Sequence, residues 1–273
     1  MKKLSMIFMA VLIAALAGCA GDTTSPDGDL PVVQDLQLDA ASAGRTIVLT
    51  WAAVTAEDID GYKVYFQADG TGSFTEVGDV TTTTYTHTAT NAGHYVAVAY
   101  EGDNTSSANS NEVNTMPNII NVTYTIYDNY SADDKPSGFI FGATAGQTGM
   151  ASSTGFVQDI YAYDESKGDD DVWLYSGNFG QFGNGNQSYF QEPLGNGYCD
   201  PSGSWVSTAY VLYTSDSVVF VELPYQGGTS AYAKMYGLSV TADPDTNNGT
   251  IVSFMYEYQP DDLGLSVFTS NAN

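Results

Sequence analysis

The sequence is poor in histidine and cysteine, and this shortage excludes several kinds of chemistry. Among 273 residues there are two histidines, His87 and His94, and two cysteines, Cys19 and Cys199. Acyl-transfer triads need a histidine base, and zinc sites are built largely from histidine and cysteine. Because both histidines precede residue 118, we expect no such chemistry in the C-terminal part of the chain, nor haem held there by paired histidines.

Basic residues are scarce as well. Seven lysines and arginines stand against 32 acidic residues, which gives a formal net charge of −25. Such a surface repels phosphate groups, so nucleic acid and anionic lipid are poor partners, whereas neutral ligands and divalent cations are compatible with it. The alternative is that the acidity only keeps an exported protein soluble.

The N-terminus has the pattern of a secretory signal: two lysines, then an apolar stretch over residues 6–16 that is too short for an ordinary transmembrane span. The tetrad Leu16-Ala17-Gly18-Cys19 resembles the lipobox of bacterial lipoproteins. The resemblance implies removal of residues 1–18, lipidation of Cys19, and membrane anchoring through that lipid. Ala20 is similar to the family's outer-membrane sorting pattern, which implies an exported protein in the outer membrane of a diderm bacterium. A retained anchor helix over residues 6–18 is the alternative.

Residues 19–30 lack apolar periodicity and are predicted to form a flexible tether. From Pro31 onwards, short runs of β-branched and aromatic residues alternate with clusters of Gly, Asn, Asp, Ser and Thr, without helical periodicity. Between residues 31 and 117 this pattern predicts seven strands: Val33–Leu38, Thr46–Trp51, Tyr62–Gln67, Phe74–Val77, Thr83–His87, Tyr95–Tyr100 and Asn109–Asn114.

The strands of residues 31–117 carry a pattern of packing residues. In the second predicted strand, Ile47, Leu49 and Trp51 share one face by period-two alternation. This part of the chain resembles a fibronectin type III domain in the segments Leu49–Trp51, Gly61–Tyr65, Thr84–Thr86 and His94–Ala99. The resemblance implies a β-sandwich that serves as a spacer or as a contact surface for protein or glycan, and it does not specify a function.

Residues 118–273 are predicted to form a second antiparallel β domain, so the fold class is all-β. The clearest strands are Ile119–Tyr127, Val157–Tyr163, Val172–Tyr175, Val206–Tyr213, Ser217–Leu223, Ala231–Val240 and Thr250–Tyr258. We expect residues 206–258 to form an antiparallel meander. In its last strand, Ser253 and Glu257 are expected on the solvent-exposed face. The segments Ala231–Met235 and Phe254–Gln259 resemble the last strands of HmuY-like lipoproteins, a β-rich family that includes haem carriers.

A long irregular segment, residues 176–204, carries aromatic residues among Gly, Asn and Gln. A pyranose stacks its C–H face on an aromatic ring while amides and carboxylates bind its hydroxyl groups. The alternative is that these rings pack beneath their own loop. The candidate ligand-binding residues in and around this segment are Trp173, Tyr175, Phe182, Tyr189 and Trp205.

Acidic clusters are the candidates for a cation site, because hard cations take oxygen ligands. The segment from Asp243 to Gly249 is similar to a calcium loop, but its glycine falls one position late and Phe254 stands where an EF-hand has glutamate. Calcium at such a turn is one interpretation, and turn chemistry is the other. No other cofactor is expected. The candidate metal ligands are Asp169, Asp170, Asp171, Asp243 and Asp245.

These features predict a lipid-anchored, non-enzymatic recognition or adhesion module of the cell envelope that binds glycan or protein. No catalytic residue is assigned. Two alternatives stay open: a haem-type ligand carrier, and a polysaccharide hydrolase that works with two carboxylates, for which Asp159 and Glu222 stand out.

Overall fold

The computed structural model describes residues 30–55, 59–106, 108–131, 135–142, 146–148, 158–164, 172–180, 185–192, 197–207, 209–212, 218–224, 229–246, 249–260 and 264–270. Across these residues all regular secondary structure is β-strand, and the named strands pair antiparallel. None of the described residues forms a helix long and apolar enough to cross a membrane. The predicted signal, Cys19 and nearly all of the tether lie outside the described residues.

The first part of the chain is a sandwich of two sheets. Its strands are β1 (Gln34–Leu38), β2 (Thr46–Ala52), β3 (Gly61–Ala68), β4 (Thr75–Val80), β5 (Thr84–Thr88), β6 (Gly93–Glu101), β7 (Asn104–Thr105) and β8 (Val113–Asn114). One sheet has the order β1-β2-β5, and the other has the order β4-β3-β6-β7, with β8 also paired to β6. The predicted fibronectin type III-like sandwich is confirmed, and every predicted strand overlaps an observed one.

The core of this first sandwich follows from strand alternation. In β2 the side chains of Ile47, Leu49 and Trp51 are buried, and the residues between them are more exposed. The indole of Trp51 packs edge-on against Tyr62 of the facing sheet, with 5.4 Å between ring centroids. Burial of each such side chain stabilises the fold by about 1.5–3 kcal/mol.

The second part is another antiparallel sandwich. Its strands are β9 (Asn118–Tyr127), β10 (Gly138–Ile140), β11 (Gly146–Thr148), β12 (Ile160–Tyr163), β13 (Val172–Ser176), β14 (Tyr189–Gln191), β15 (Ala209–Leu212), β16 (Val218–Leu223), β17 (Ala231–Ala242) and β18 (Thr250–Gln259). One sheet has the order β11-β10-β12-β13-β15, and the other has the order β14-β16-β17-β18-β9. The all-β fold class, with two antiparallel β domains in succession, is therefore confirmed.

Two details of this second sandwich differ from expectation. The meander is right for β16, β17 and β18 but wrong for β15, which pairs with β13 in the opposite sheet and contributes Tyr210 to the core from that side. The face of β18 that carries Glu257 was expected to be exposed to solvent, yet Glu257 is only 1% exposed. The terminal segment, residues 264–270, covers it: Thr269 donates its main-chain N–H to the Glu257 carboxylate over 2.9 Å.

Candidate functional site

Aromatic side chains line the outer face of one sheet of the second sandwich. In β12 and β13, Ile160, Ala162, Val172 and Leu174 point into the core. The residues that alternate with them point to the opposite face, which in an exposed antiparallel sheet is normally polar. We call this surface the aromatic face; its members are Tyr161, Tyr163, Trp173 and Tyr175, joined by Phe179 from the following turn.

The rings of the aromatic face form one continuous cluster around Tyr175. Tyr161 lies directly opposite Tyr175, and Tyr163 lies directly opposite Trp173. The centroid of Tyr175 is 5.3 Å from that of Tyr161, 4.9 Å from Tyr163, 6.4 Å from Trp173 and 5.2 Å from Phe179. These separations are those of stabilising edge-to-face and tilted aromatic pairs.

Solvent exposure divides the cluster into two buried rings and three rings that are more exposed. Tyr161 and Tyr175 are buried, at 0% and 5% exposed. Tyr163 and Trp173 are partly buried, and Phe179 is 38% exposed. A ligand can therefore contact Tyr163, Trp173 and Phe179, while the buried Tyr175 packs against all three of those rings. Phe182, Asp169, Asp170 and Asp171 lie outside the described residues.

The turn after β13 is fixed against the buried tyrosines. The Tyr161 hydroxyl donates a hydrogen bond to the Phe179 carbonyl oxygen over 2.5 Å. Gly180 has a φ of +74°, and a Cβ there would lie 2.6 Å from the Tyr161 hydroxyl oxygen and 3.0 Å from the Tyr175 ring. Only glycine accommodates both this backbone conformation and this close approach. Phe179 is thereby held beside Tyr175.

A buried polar network holds the next part of the loop. The Asp159 carboxylate accepts hydrogen bonds from the Phe141 N–H and the Asn186 amide, each over 2.8 Å, and Ser188 donates its hydroxyl to the Asp159 carbonyl. Burial raises the pKa of Asp159 despite these bonds. Asp159 thus has a positioning role: it anchors residues 185–188 beside β12.

The two carboxylates singled out for hydrolysis lie on different sheets. Asp159 immediately precedes β12, whereas Glu222 lies on β16 of the other sheet and accepts a hydrogen bond from the Ser230 hydroxyl over 2.6 Å. The structure does not place them as neighbours across one cleft. The hydrolase alternative therefore gains no acid–base pair from these two residues.

The remaining aromatic candidates belong to the other sheet. Tyr189 lies opposite Glu222 in the pairing of β14 with β16. Trp205 donates its indole N–H to the Asp200 carbonyl over 3.1 Å, and its ring packs 6.1 Å from that of Tyr232. Trp205 therefore packs within its own loop and against Tyr232 of β17. Of the four predicted residues that the structure describes, Trp173 and Tyr175 belong to one ring cluster, whereas Tyr189 and Trp205 belong to the other sheet.

An ammonium group occupies the calcium-like turn. Lys135 lies 2.7 and 2.8 Å from the two carboxylate oxygens of Asp243 and 2.9 Å from the carboxylate of Asp245. Burial, the largest single effect, acts to raise the pKa of Asp243, but the hydrogen bonds from Lys135, the Asp245 N–H and Ser131, together with the charge of Lys135, hold that pKa below its ordinary value. Among the described residues no three His, Cys, Asp or Glu side chains form a group suited to a metal ion. Calcium binding stays a prediction.

Both histidines are engaged within the first sandwich. His87 Nδ1 lies 2.8 Å from the Tyr95 hydroxyl, and burial lowers the pKa of His87. His94 pairs with Glu112. Neither histidine lies near the aromatic face in sequence or on its sheet, so the geometry offers no histidine pair there for haem.

A groove of about 360 Å³ lies where the two sandwiches meet. Its carboxylates, Asp69 and Glu257, both accept hydrogen bonds from the terminal segment, from Ser270 and Thr269 respectively. These carboxylates therefore serve the junction between the sandwiches. The groove is lined by Asp69, Ile119, Asn121, Tyr236, Met255, Glu257 and Thr269.

No known family model and no curated protein matches the chain. Among solved structures, it is similar to a Fn3-like protein from Clostridium thermocellum, with 26% identity, a TM-score of 0.27, and coverage of 32% of this chain and 91% of that one. It is also similar to the FN1–FN3 domains of chicken CNTN1, with 10% identity, a TM-score of 0.25, and coverage of 86% and 95%. A third similarity is to titin kinase with its flanking domains, with 9% identity, a TM-score of 0.31, and coverage of 84% and 38%. At such low TM-scores these similarities carry no argument about function.

Sequence reasoning missed Tyr161, Tyr163 and Phe179 as parts of the aromatic face. The signal was present for the first two: Ile160-Tyr161-Ala162-Tyr163 alternates a small or aliphatic residue with an aromatic one, and residues 172–175 repeat this alternation. Two such strands side by side bring their aromatic residues to one face. Phe179 carried no comparable signal, because its position depends on the turn at Gly180.

Proposed function

We propose that the protein is a non-catalytic recognition module of the cell envelope, that it binds a neutral glycan on the aromatic face, and that the lipid on Cys19 anchors it to the outer membrane. The observation that carries the glycan proposal is the pair of directly opposed aromatic couples, Tyr161 with Tyr175 and Tyr163 with Trp173, on the outer side of a sheet. Tyr161 and Tyr175 are buried within the cluster, and the parts of Tyr163, Trp173 and Phe179 that remain exposed offer a connected apolar surface to a ligand.

The arrangement of the rings supports a sugar ligand in particular. Partly exposed rings at Tyr163 and Trp173, beside the exposed Phe179, offer apolar surfaces on which the C–H face of a pyranose can stack. Because these rings pack against the buried Tyr175, little side-chain entropy is lost on binding. Preformed flat surfaces of this kind suit a rigid ring better than a flexible peptide.

The charge of the chain narrows the class of glycan. With a net charge of −25, the protein repels uronic acids, sulfated sugars and phosphorylated sugars at low ionic strength. Neutral polysaccharides carry no such electrostatic penalty. The fibronectin type III-like sandwich lies between the tether and this binding domain, and in the proposal it serves as a spacer.

Binding of residues 20–273, the mature chain without the lipidated Cys19, to an array of neutral and acidic glycans tests the proposal. We expect retention on one neutral class, lost by at least tenfold in Trp173→Ala. Trp205→Ala is the matched control, because it removes the same side chain from the other sheet and should leave binding unchanged. Equal losses in both variants, retention unaffected by Trp173→Ala, or binding confined to acidic glycans would each refute the proposed site.

A further inference from the structure

The terminal segment, residues 264–270, runs in an extended conformation between the two sandwiches and divides its side chains between them. Leu265 and Val267, 6% and 0% exposed, belong to the hydrophobic core of the first sandwich. Phe268 packs against Phe220 of the second sandwich, with 5.5 Å between ring centroids. The hydroxyl of Ser266 donates to the carbonyl of Cys199 in the second sandwich over 3.0 Å. Period-two alternation over residues 265–268 thus serves two cores at once.

Main-chain hydrogen bonds follow the same division. On the side of the first sandwich, Gly44 donates to the Gly264 carbonyl and accepts from the Ser266 N–H, each over 2.9 Å, and Ala92 donates to the Phe268 carbonyl over 2.8 Å. On the side of the second sandwich, the Phe268 N–H donates to the Gly197 carbonyl over 2.8 Å. The segment therefore behaves as a short shared strand.

The last two described residues continue this pattern with charged partners. Thr269 binds the Glu257 carboxylate through its N–H and accepts a hydrogen bond from Lys234 Nζ at its carbonyl oxygen over 2.5 Å. Lys234 and Glu257 are 0% and 1% exposed. Ser270, the next residue, donates its N–H to the Asp69 carboxylate of the first sandwich over 2.7 Å. Without the segment, the buried Lys234–Glu257 pair would lose several of its hydrogen-bonding partners.

We propose that the terminal segment fastens the two sandwiches into one cooperative, rigid unit. Neither sandwich has a complete core without it: the first takes Leu265 and Val267 from it, and the second takes Phe268 and the cover over Glu257. Direct contacts also cross the junction, such as the Arg45 guanidinium 3.9 Å from the ring centroid of Tyr198. The fastening gives the aromatic face a fixed orientation relative to the first sandwich, and it does not depend on what that face binds.

Calorimetry of the full mature chain tests the cooperativity directly. We expect a single thermal transition whose calorimetric enthalpy equals its van't Hoff enthalpy, as for one folding unit. Two separate transitions in the full chain would overturn the proposal.

A conservative variant tests the role of the segment itself. Val267→Thr keeps the volume of the side chain but places a hydroxyl in the core of the first sandwich. Amide hydrogen exchange should then accelerate together in β6 of the first sandwich and β17 of the second, by at least tenfold in each. Val122→Thr, at a position that is 54% exposed, is the control and should change neither. Acceleration confined to the first sandwich would show two independent domains and overturn the proposal.

Discussion

Trp173 lies directly opposite Tyr163 in the pairing of β13 with β12, on the face of the sheet that points away from the core. Both rings are partly buried, and both contact the buried ring of Tyr175 on the same face. The two kinds of position predict two different results of mutation. Loss of a surface ring should affect ligand binding, whereas loss of the central ring should affect the fold.

Trp173→Ala and Tyr175→Ala should separate these effects. Truncation of the buried Tyr175 removes a core-like side chain and should lower the free energy of unfolding by about 3–5 kcal/mol. Trp173→Ala should cost clearly less stability, because its ring is partly exposed, while it abolishes glycan binding. Urea denaturation of both variants measures the difference. A larger loss of stability in Trp173→Ala would mean that its ring belongs to the core.

Sequence patterns recovered the elements that depend on local alternation. Ile47, Leu49 and Trp51 were expected on one buried face of a strand, and they lie there. The same reasoning wrongly placed Glu257 on a solvent-exposed face. A period-two pattern predicts which residues share a face of the sheet, but it does not predict what covers that face. The cover comes from residues 264–270, and its own alternation of Leu265 and Val267 with Ser266 is too short to predict a strand.

The burial of Lys234 shows the same limit. Lysine is almost never fully buried unless it is paired, so nothing local distinguishes this residue from a solvated one. Its position depends on the Thr269 carbonyl, which is 35 residues away in the sequence. Likewise β15 lies in the opposite sheet because it pairs with β13. The turn-like residues 214–216, which follow β15, instead predicted a hairpin between β15 and β16. Local sequence patterns do not predict long-range pairing of this kind.

Gly180→Ala should loosen the turn that holds Phe179. Alanine disfavours a φ of +74°, which alone costs about 1–2 kcal/mol, and its Cβ would meet Tyr161 and Tyr175. The collision should add about 1–3 kcal/mol. Gly102→Ala is the matched control, because Gly102 has a φ of +54° with no atom within 4 Å of the added Cβ. Thermal denaturation compares the two, and equal losses would show that the turn is not packed on the tyrosines.

Asp159 and Asp243 should give stability opposite dependences on pH. The folded-state pKa of Asp159 is raised above its ordinary value of 3.8, so its contribution to stability is greatest below that pH and declines as pH rises through the folded pKa. The folded-state pKa of Asp243 is lowered, so its contribution is present above pH 3.8 and is lost as pH falls through the folded pKa.

The matching variants, Asp159→Asn and Asp243→Asn, should each remove one of these dependences. Urea denaturation between pH 3 and 7, compared with the unmodified chain, measures the change in slope. As pH rises, the free energy of unfolding of Asp159→Asn should increase relative to that of the unmodified chain. The free energy of unfolding of Asp243→Asn should decrease relative to that of the unmodified chain over the same range. Slopes that change in the same direction in both variants would contradict the assignments.

Cys19 is the predicted site of the lipid, and its substitution gives a direct result. Cys19→Ala should produce a chain that keeps its signal or is released without an anchor, because no thiol is left at position 19 to carry the diacylglycerol. Intact mass spectrometry of the membrane fraction should find the acyl chains only on the unmodified protein. Cys199→Ala is the control and should leave the lipid in place. If the unmodified protein is found unacylated, with residues 1–18 still attached, lipoprotein processing is refuted.

Cys199 should report on the docking of the terminal segment. Its thiol is 0% exposed, its main-chain N–H donates to the Ser266 carbonyl over 3.3 Å, and burial raises its pKa, so the reactive thiolate is scarce in the folded protein. In the mature chain that lacks Cys19, a disulfide reagent such as DTNB should therefore label Cys199 only as fast as the segment opens. Val267→Thr should accelerate this labelling by at least tenfold, while Val122→Thr should leave it unchanged. If labelling is fast in the unmodified chain, the segment is not stably docked over Cys199, and the fastening of the two sandwiches fails with it.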